Sequence, residues 1–183
     1  LLDRVGSAQW PVDKNAPEGT EVLHTKNFPR ANRLGTFMLT GYVPTAERVS
    51  EQFPLLLTTG RILSQYNVGA QTRRTANSQW HQQDVLEISA DDAVARGISD
   101  GDWVNINSRF GKTRLSAMIS ARVNPGVVYT TFHHPESHVN ALTSDRSDWA
   151  TNCPEYKVTA VDVMRVATET AILSKTELEV TVL

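Results

Sequence analysis

Residues 112–121 carry the clearest local signal in the chain, an alternation of two kinds of side chain. One set can pack into a core: Thr113, Leu115, Ala117, Ile119 and Ala121. The other set is mostly polar: Lys112, Arg114, Ser116, Met118 and Ser120. Because successive side chains of a strand point to opposite faces, this period of two predicts a half-buried β-strand. The strand's edges need partners, so the chain has to build a sheet around it.

Five further runs predict strands. They are FPLLLTTGR (53–61), DVLEIS (84–89), WVNIN (103–107), VVYTTF (127–132) and KVTAVDVMRV (157–166). Between the second and the third, SADDAVARG predicts a short helix that Ser89 caps and Gly97 ends, with Asp91 and Asp92 at its positive N-terminus. We expect Trp103 to lie in the core.

These runs predict a mainly β domain over residues 53–166 with short helices. A small closed or nearly closed barrel leaves the fewest unpaired strand edges. Residues 1–52 lack a sustained period, and prolines and glycines interrupt them, so we expect an irregular connecting arm. Residues 167–183 are predicted to form a C-terminal tail or an extra strand. No internal repeat is evident.

Composition excludes several classes of function. With 18 Lys+Arg against 20 Asp+Glu, there is no basic excess to drive sequence-independent binding to nucleic acid. One cysteine excludes an internal disulfide framework and an all-cysteine zinc or iron–sulfur site within this chain. The longest apolar runs are far shorter than the roughly 20 residues of a membrane span. Residues 1–10 include charged side chains and do not resemble a signal peptide, so we expect a cytoplasmic location. The chain starts without Met, so we expect it to be part of a longer polypeptide.

Two long polar loops are the candidate ligand-binding segments. The first loop follows Gly60 and contains Arg61, Gln65 and the adjacent pair Arg73 and Arg74. The second loop starts at His133. Loops of more than about 12–15 residues in compact domains are usually functional or disordered. Guanidinium groups bind phosphate and amide side chains can read the edge of a heterocycle, so the first loop suits a ligand with both parts. The alternative is a solvated turn with ordinary surface arginines.

The remaining reactive side chains have simpler interpretations. His133 and His134 point to opposite faces if extended, which argues against one shared metal ion, and we expect loop histidines that line a pocket or face solvent. Cys153 is interpreted as an unreactive thiol. No motif of a common hydrolase or of a Walker A loop is present. The residues alone therefore predict a binding module and do not reveal a reaction.

Several segments taken in order resemble one family. They are TGRILSQYNVGAQTRRT, ISADDAVARGISDGDWVNINSRFGKTRLSAMIS, PGVVYTTFHH, NALT and PEYK. Together they resemble the C-terminal dinucleotide-binding domain of the bis-molybdopterin-guanine-dinucleotide oxidoreductases, with PEYK and the early GSAQWP most similar to the formate dehydrogenase alpha (catalytic) subunit. The resemblance covers about residues 53–166 and implies a double-psi β-barrel.

The resemblance also implies which residues contact the cofactor. The implied set is Thr59, Gly60, Arg61, Ile62, Leu63, Ser64, Gln65, Tyr66, Asn67, Val68, Phe132, Asn140 and Lys157. Gln65 stands where many relatives have His, which removes an ionisable group. Ile62, Leu63 and Val68 are expected to pack under the loop and to contribute backbone contacts. For the last three of the set the alternatives are core packing by Phe132, a helix cap by Asn140 and a surface position for Lys157.

The resemblance implies a cofactor-binding part of formate dehydrogenase, in which formate is oxidised to carbon dioxide with transfer of two electrons. The implied cofactor is bis-molybdopterin guanine dinucleotide with molybdenum or tungsten. The metal ligand and the iron–sulfur clusters would lie upstream, so no catalytic or metal-binding residue is expected in this chain. The implied partners are upstream domains of the same polypeptide and electron-transfer subunits, with no nucleic acid and no membrane span. The alternatives are the same domain of a nitrate reductase or another bis-molybdopterin oxidoreductase, and a stand-alone double-psi barrel used for protein interaction.

Overall fold

The computed structural model describes residues 6–166, so the predicted tail at 167–183 lies outside the described residues. The chain divides into two compact units, Leu1–Val43 and Pro44–Leu183. In the first unit, residues 6–43 contain isolated backbone bridges and turns in place of strands and helices. The second unit contains the regular structure.

Within residues 44–166 six strands form, each overlapping a run that the sequence assigns to a strand. They are β1 (Leu55–Gly60), β2 (Val85–Ile88), β3 (Trp103–Ser108), β4 (Lys112–Ile119), β5 (Val127–Thr131) and β6 (Thr159–Arg165). One α-helix, α1 (Ala90–Ala95), follows β2. Short 3-10 helices lie in the long loops at Thr72–Arg74, Ala76–Gln79, Pro135–Ser137 and Val139–Leu142. Within residues 6–166 no helix is long and apolar enough to cross a membrane.

The strands close into a barrel in the order β1-β5-β2-β4-β3-β6. Two neighbouring pairs are parallel, β1 with β5 and β2 with β4, and the other pairs are antiparallel. If β1, β2 and β3 are exchanged with β4, β5 and β6 respectively, every strand pairing is reproduced. The barrel therefore has an internal two-fold topology, although the sequence shows no evident repeat. This is the double-psi β-barrel that the resemblance to the family implies, and it agrees with the closed barrel that the strand pattern predicts. Closure pairs both edges of each strand, which removes the exposed edges of an open sheet.

The barrel interior holds the apolar side chains of all six strands. Those with at most 3% of their surface exposed include Leu57, Leu86, Ile88, Val104, Ile106, Leu115, Val128, Val161 and Val163. Burying each such side chain contributes about 1.5–3 kcal/mol relative to leaving it in water. The alternation in β4 is confirmed at Leu115 and Ala117, which are buried, whereas Ile119 at the strand end is 38% exposed.

Helix α1 begins and ends as its sequence predicts. The Ser89 side chain accepts a hydrogen bond from Asp92 N (3.2 Å), which satisfies one free amide of the first turn. The Asp92 carboxylate accepts hydrogen bonds from the Ser89 hydroxyl (2.7 Å) and from Gly126 N (2.8 Å), so it also ties the helix to the turn before β5. Gly97 follows the helix with a φ of +63°, a left-handed conformation that favours glycine. Asp92 is therefore structural, and Asp91 lies exposed in the first turn of the helix.

Trp103 corrects one expectation. It is 48% exposed, and the Arg114 guanidinium lies 5.2 Å from the centre of its ring. In β3 the inward positions belong to Val104 and Ile106, so Trp103 falls on the outer face by the period of two. Contact with a cationic side chain on the neighbouring strand covers part of the ring there.

The segment before β1 is attached to the barrel by Glu47. This carboxylate is 3% exposed, and its Oε2 accepts hydrogen bonds from Ala160 N in β6 (3.2 Å) and from Arg109 Nη1 (3.1 Å). The ion pair with Arg109 bridges the segment to the turn between β3 and β4. A buried carboxylate needs such partners, because an unpaired charge in the interior is costly.

Candidate functional site

The two polar loops leave the barrel at the same end. Strands β1 and β5 are parallel, with Thr59 paired to Thr130 and Gly60 to Thr131, so the loops that follow them start side by side. Strand β6 is antiparallel to β1, which brings the residues before Thr159 to this end as well. The predicted ligand segments, far apart in sequence, are thus neighbours in the fold.

The PEYK segment lies directly on the end of β1. The Lys157 ammonium donates a hydrogen bond to Thr59 O (2.8 Å), and the Thr59 hydroxyl donates one to Tyr156 O (2.9 Å). Thr59 and Gly60 are buried, whereas Lys157 is exposed. A methyl group on Gly60 would lie 2.5 Å from the Tyr129 hydroxyl, so glycine is required for this close packing. Lys157 is therefore a surface residue with a specific partner, at the root of the first loop.

Arg61, Phe132 and Asn140 form a second group at this end. The Arg61 guanidinium lies 5.5 Å from the centre of the Phe132 ring, and the Arg61 side chain is exposed with no carboxylate partner among residues 6–166. Phe132 packs against the core with part of its surface and also lines a pocket of about 270 Å³. Asn140 and Val68 line the same pocket. Phe132 thus connects the exposed cation of Arg61 to the pocket that the Asn140 amide lines.

The helix-cap alternative for Asn140 is wrong. Asn140 lies inside the 3-10 helix Val139–Leu142, whose N-cap is His138. Its backbone carbonyl accepts from Thr143, but within the described residues its side-chain amide has no hydrogen-bond partner. The amide is exposed at the pocket and available to a ligand.

The interior of the first loop is held by polar contacts. The Thr72 hydroxyl donates to Gln65 Oε1 (2.6 Å), and Tyr66 N donates to Thr72 Oγ1 (3.1 Å). Gln65 is 5% exposed, and its buried Nε2 has no partner within residues 6–166. Ser64 is 2% exposed, and its hydroxyl lies 3.1 Å from His81 Nδ1. These contacts give the loop a defined shape without a strand or an α-helix.

The apolar side chains of the loop do not pack beneath it as expected. Leu63 is 104% exposed, Val68 is 51% exposed, and Tyr66 is 69% exposed. Only Ile62 is partly buried among the three aliphatic residues predicted to pack. The polar Ser64 and Gln65 occupy the interior positions instead, because they have hydrogen-bond partners there. The loop thus presents apolar surface outward, as a binding surface does.

Asp84 is a buried carboxylate at this end that the sequence does not identify. Its oxygens accept hydrogen bonds from the Thr131 hydroxyl, His133 N (3.2 Å), His134 N (3.0 Å) and the Ser137 hydroxyl (2.7 Å), and Oδ1 lies 3.1 Å from His134 Nδ1. Burial opposes ionisation, but the hydrogen bonds from Thr131, Ser137 and His134 outweigh it and hold the pKa of Asp84 below its ordinary value. An acidic residue before an apolar strand gives no signal for this role.

The adjacent histidines His133 and His134 are both buried. His134 lines a pocket as expected, whereas His133 neither lines that pocket nor faces solvent. His133 has none of its surface exposed, whereas His134 is 7% exposed and lines the pocket beside Asn140. Among residues 6–166 no group of three or more His, Cys, Asp or Glu side chains is arranged to hold a metal ion. The two rings take part in the hydrogen-bond network of Asp84 and the first loop.

Comparison with known proteins identifies what this chain is similar to. Residues 55–160 match the protein family described as "Molydopterin dinucleotide binding domain". The chain is 36% identical over 168 residues to the F420-dependent formate dehydrogenase 2 subunit alpha of Methanococcus maripaludis, which covers 90% of this chain and 25% of that protein. It is 29% identical to formate dehydrogenase H of Escherichia coli, over 93% of this chain and 24% of that protein.

A relative with a different named activity has the same identity to this chain as formate dehydrogenase H. The assimilatory nitrate reductase catalytic subunit of Bacillus subtilis is 29% identical over 90% of this chain and 24% of its own length. The chain thus spans about a quarter of the length of these curated relatives. Among solved structures, acetylene hydratase from Pelobacter acetylenicus matches with a TM-score of 0.56 at 14% identity, over 63% of this chain and 19% of that one. That likeness supports the fold alone.

Proposed function

The chain belongs to the molybdopterin dinucleotide-binding domain family, and from that premise we propose that it holds the guanine dinucleotide of a bis-molybdopterin cofactor in a formate dehydrogenase alpha subunit. In this proposal the chain orients the cofactor for the two-electron oxidation of formate to carbon dioxide and does not catalyse the reaction alone. The relatives that support it are formate dehydrogenase alpha subunits about four times as long as this chain.

The observation that carries the proposal is the surface made by Arg61, Phe132 and Asn140. A guanidinium without a carboxylate partner among residues 6–166 suits a phosphate, and an exposed amide beside an aromatic ring suits the edge and face of a purine. The unpaired buried amide nitrogen of Gln65 adds a donor that a bound group can satisfy after a small side-chain movement. The donor set therefore fits a dinucleotide.

The proposed cofactor-contacting residues come from three segments. They are Thr59, Gly60, Arg61, Ile62, Leu63, Ser64, Gln65, Tyr66, Asn67, Val68, Phe132, Asn140 and Lys157. Within this set Arg61 binds phosphate, Asn140 hydrogen-bonds the base, and Lys157 adds positive charge while it holds the end of β1. The exposed side chains of Leu63 and Tyr66 cover apolar surface of the bound group.

When bound, the cofactor would supply the metal-centred two-electron chemistry, and the protein would supply binding, orientation and electrostatics. We propose that the metal, molybdenum or tungsten, has its protein ligand in an upstream part of the same polypeptide, together with iron–sulfur clusters. Electron-transfer subunits complete the proposed enzyme, which we assign to the cytoplasm. Purified chain should therefore show no formate oxidation, and measurable turnover by it would contradict this division of roles.

A second candidate is the same domain of a nitrate reductase. The similarity to the Bacillus subtilis nitrate reductase subunit favours it, at an identity equal to that of formate dehydrogenase H. Both candidates predict the same dinucleotide contacts, so binding experiments on this chain do not separate them. Assay of the complete enzyme with formate and with nitrate does.

The binding proposal can be tested with GDP as the probe and the 183-residue chain. Arg61→Gln should weaken GDP binding about tenfold or more, since a charge-assisted hydrogen bond contributes about 1.5–3 kcal/mol. Arg114→Gln is the matched control, because Arg114 also lies over an aromatic ring but belongs to β4. Isothermal titration calorimetry on the three proteins measures the difference.

Two results would contradict the proposal. One is a wild-type chain that binds GDP no better than it binds AMP. The other is an equal loss of affinity in Arg61→Gln and Arg114→Gln, which would indicate a general effect of removing positive charge rather than a site at Arg61.

A further inference from the structure

His133 joins the two ends of the segment 62–67 in the first loop. Its Nε2 lies 3.2 Å from Ile62 N, and its Nδ1 hydrogen-bonds Asn67 O. The ring is completely buried, so neither contact competes with water. A single side chain from the second loop thus holds both the start and the end of a turn in the first.

The two contacts define the form of the imidazole. A backbone N–H can only donate, so Nε2 must carry a lone pair toward Ile62. A backbone carbonyl can only accept, so Nδ1 must carry the hydrogen toward Asn67. The arrangement therefore requires a neutral ring with its proton on Nδ1. A ring with its proton on Nε2, or a charged ring, would lose the contact with Ile62.

The position of the His133 ring is fixed by backbone hydrogen bonds to Asp84 and by packing against Phe132. His133 N donates to Asp84 Oδ1 (3.2 Å), and the next amide, His134 N, donates to Asp84 Oδ2 (3.0 Å). The imidazole also packs against Phe132, with ring centres 5.1 Å apart at an angle of 38°. Phe132 in turn lies under Arg61. The barrel end, the imidazole and the loop thus form one connected group.

We propose that His133 is a positioning residue for the proposed dinucleotide site. Its ring clamps residues 62–67 and thereby sets the positions of Arg61 and Val68, which flank this segment. The inference rests on the proposed function for its binding consequence, but the clamp itself is a property of the chain alone. Asn67 supports it, because its φ of +48° lies in the left-handed region and is retained while its carbonyl is held by the imidazole.

The clamp can be measured without a ligand. In the ¹⁵N-labelled 183-residue chain, NMR of the imidazole nitrogens should show a protonated Nδ1 and an unprotonated Nε2 for His133. The Ile62 amide should be protected from hydrogen exchange in wild type and lose protection in His133→Phe, which keeps a buried ring but removes both nitrogens. A proton on Nε2, or unchanged protection in His133→Phe, would overturn the clamp.

The consequence for binding is measured by GDP titration on the same proteins. His133→Phe should weaken GDP binding about tenfold, the loss expected from one misplaced charge-assisted contact at Arg61. His133→Asn keeps a donor near the position of Nδ1 and should recover part of the affinity. Val128→Ala is the control, because Val128 is a fully buried residue of β5, the strand that precedes His133, and should lower stability without changing GDP affinity.

The possible outcomes separate the two proposals. Equal affinities of wild type and His133→Phe for GDP would overturn the positioning role, and so would a matching loss in Val128→Ala. If wild type binds no GDP, the proposed function fails, and the proton position and Ile62 exchange still decide the clamp. If His133→Phe does not fold, His133→Asn and the wild-type spectrum provide the same test.

Discussion

Replacing Asp84 with asparagine tests how strongly one buried carboxylate stabilises the loop end of the barrel. The substitution keeps the size and shape of the side chain but exchanges one acceptor oxygen for an NH₂ group. In the native chain each oxygen of Asp84 accepts a backbone amide, His133 N on Oδ1 and His134 N on Oδ2. Whichever way the asparagine amide points, one of these two buried N–H groups therefore faces another donor.

The expected loss of stability follows from the one buried N–H group that loses its acceptor. A buried donor left without an acceptor costs about 1–3 kcal/mol, and hydrogen bonds to a charged group contribute about 1.5–3 kcal/mol each. The Thr131 and Ser137 hydroxyls can rotate to accept from the new amide, so their contacts are partly kept. We expect Asp84→Asn to lower the free energy of unfolding by about 2–4 kcal/mol at pH 7.

The effect of Asp84→Asn should depend on pH in a defined direction. The pKa of Asp84 is lowered in the folded chain from 3.8, so its ionisation stabilises the fold above that value, and this contribution is lost as the pH falls through the lower folded pKa. Wild type should therefore lose more stability than Asp84→Asn between pH 7 and pH 3. Urea denaturation followed by circular dichroism at both pH values measures the two differences.

Asp148→Asn provides the control for burial. The Asp148 carboxylate also accepts several hydrogen bonds, including those from the Thr151 hydroxyl (2.5 Å) and Cys153 N (2.8 Å), but it is exposed. Its substitution should have the smaller effect on global stability at pH 7, because water can replace the lost contacts. The reasoning is refuted if the two variants lose the same stability, or if the loss in Asp84→Asn does not change with pH.

Two further substitutions test the elements around the site. Ser89→Ala removes the side-chain cap of α1 and should lower the free energy of unfolding by about 1 kcal/mol, with Ser116→Ala, at a half-buried serine of β4, as the control; equal effects would contradict the capping role. Glu47→Ala leaves buried Ala160 N without its acceptor and should cost about 1–3 kcal/mol by urea denaturation. Because the Arg109 ion pair is removed in the same step, Arg109→Ala should cost much less when it is added to Glu47→Ala than when it is made in wild type; additive losses would refute the coupling.

The strands were the most predictable part of the fold, for a local reason. Alternation and short apolar runs depend only on which face of a strand is buried, and neighbouring residues report that directly. The cap at Ser89 and the left-handed Gly97 are likewise decided within one turn of chain. Trp103 lies outside the core because its position in the alternation of β3, rather than its apolar character, sets the face on which it lies.

The site was predictable only in part. The first loop and the residues Arg61, Phe132 and Asn140 follow from the resemblance to a family, and their cofactor contacts stay predictions. The prediction that Leu63 and Val68 pack beneath the loop is wrong, because polar residues with partners in other segments take the interior positions. No pattern in the sequence marks such partners, since they lie in segments distant along the chain.

The sequence alone determined that residues 53–166 form six strands and a capped α-helix, since each depends on side chains within a few residues of one another. Only the tertiary structure decided that β1 lies parallel to β5, and so that the two polar loops meet at one end of the barrel. Only the tertiary structure gave Asp84 and His133 their partners, which are up to 53 and 71 residues away. Strand pairing and buried hydrogen bonds join groups that are distant in sequence, and local patterns do not encode which groups will meet.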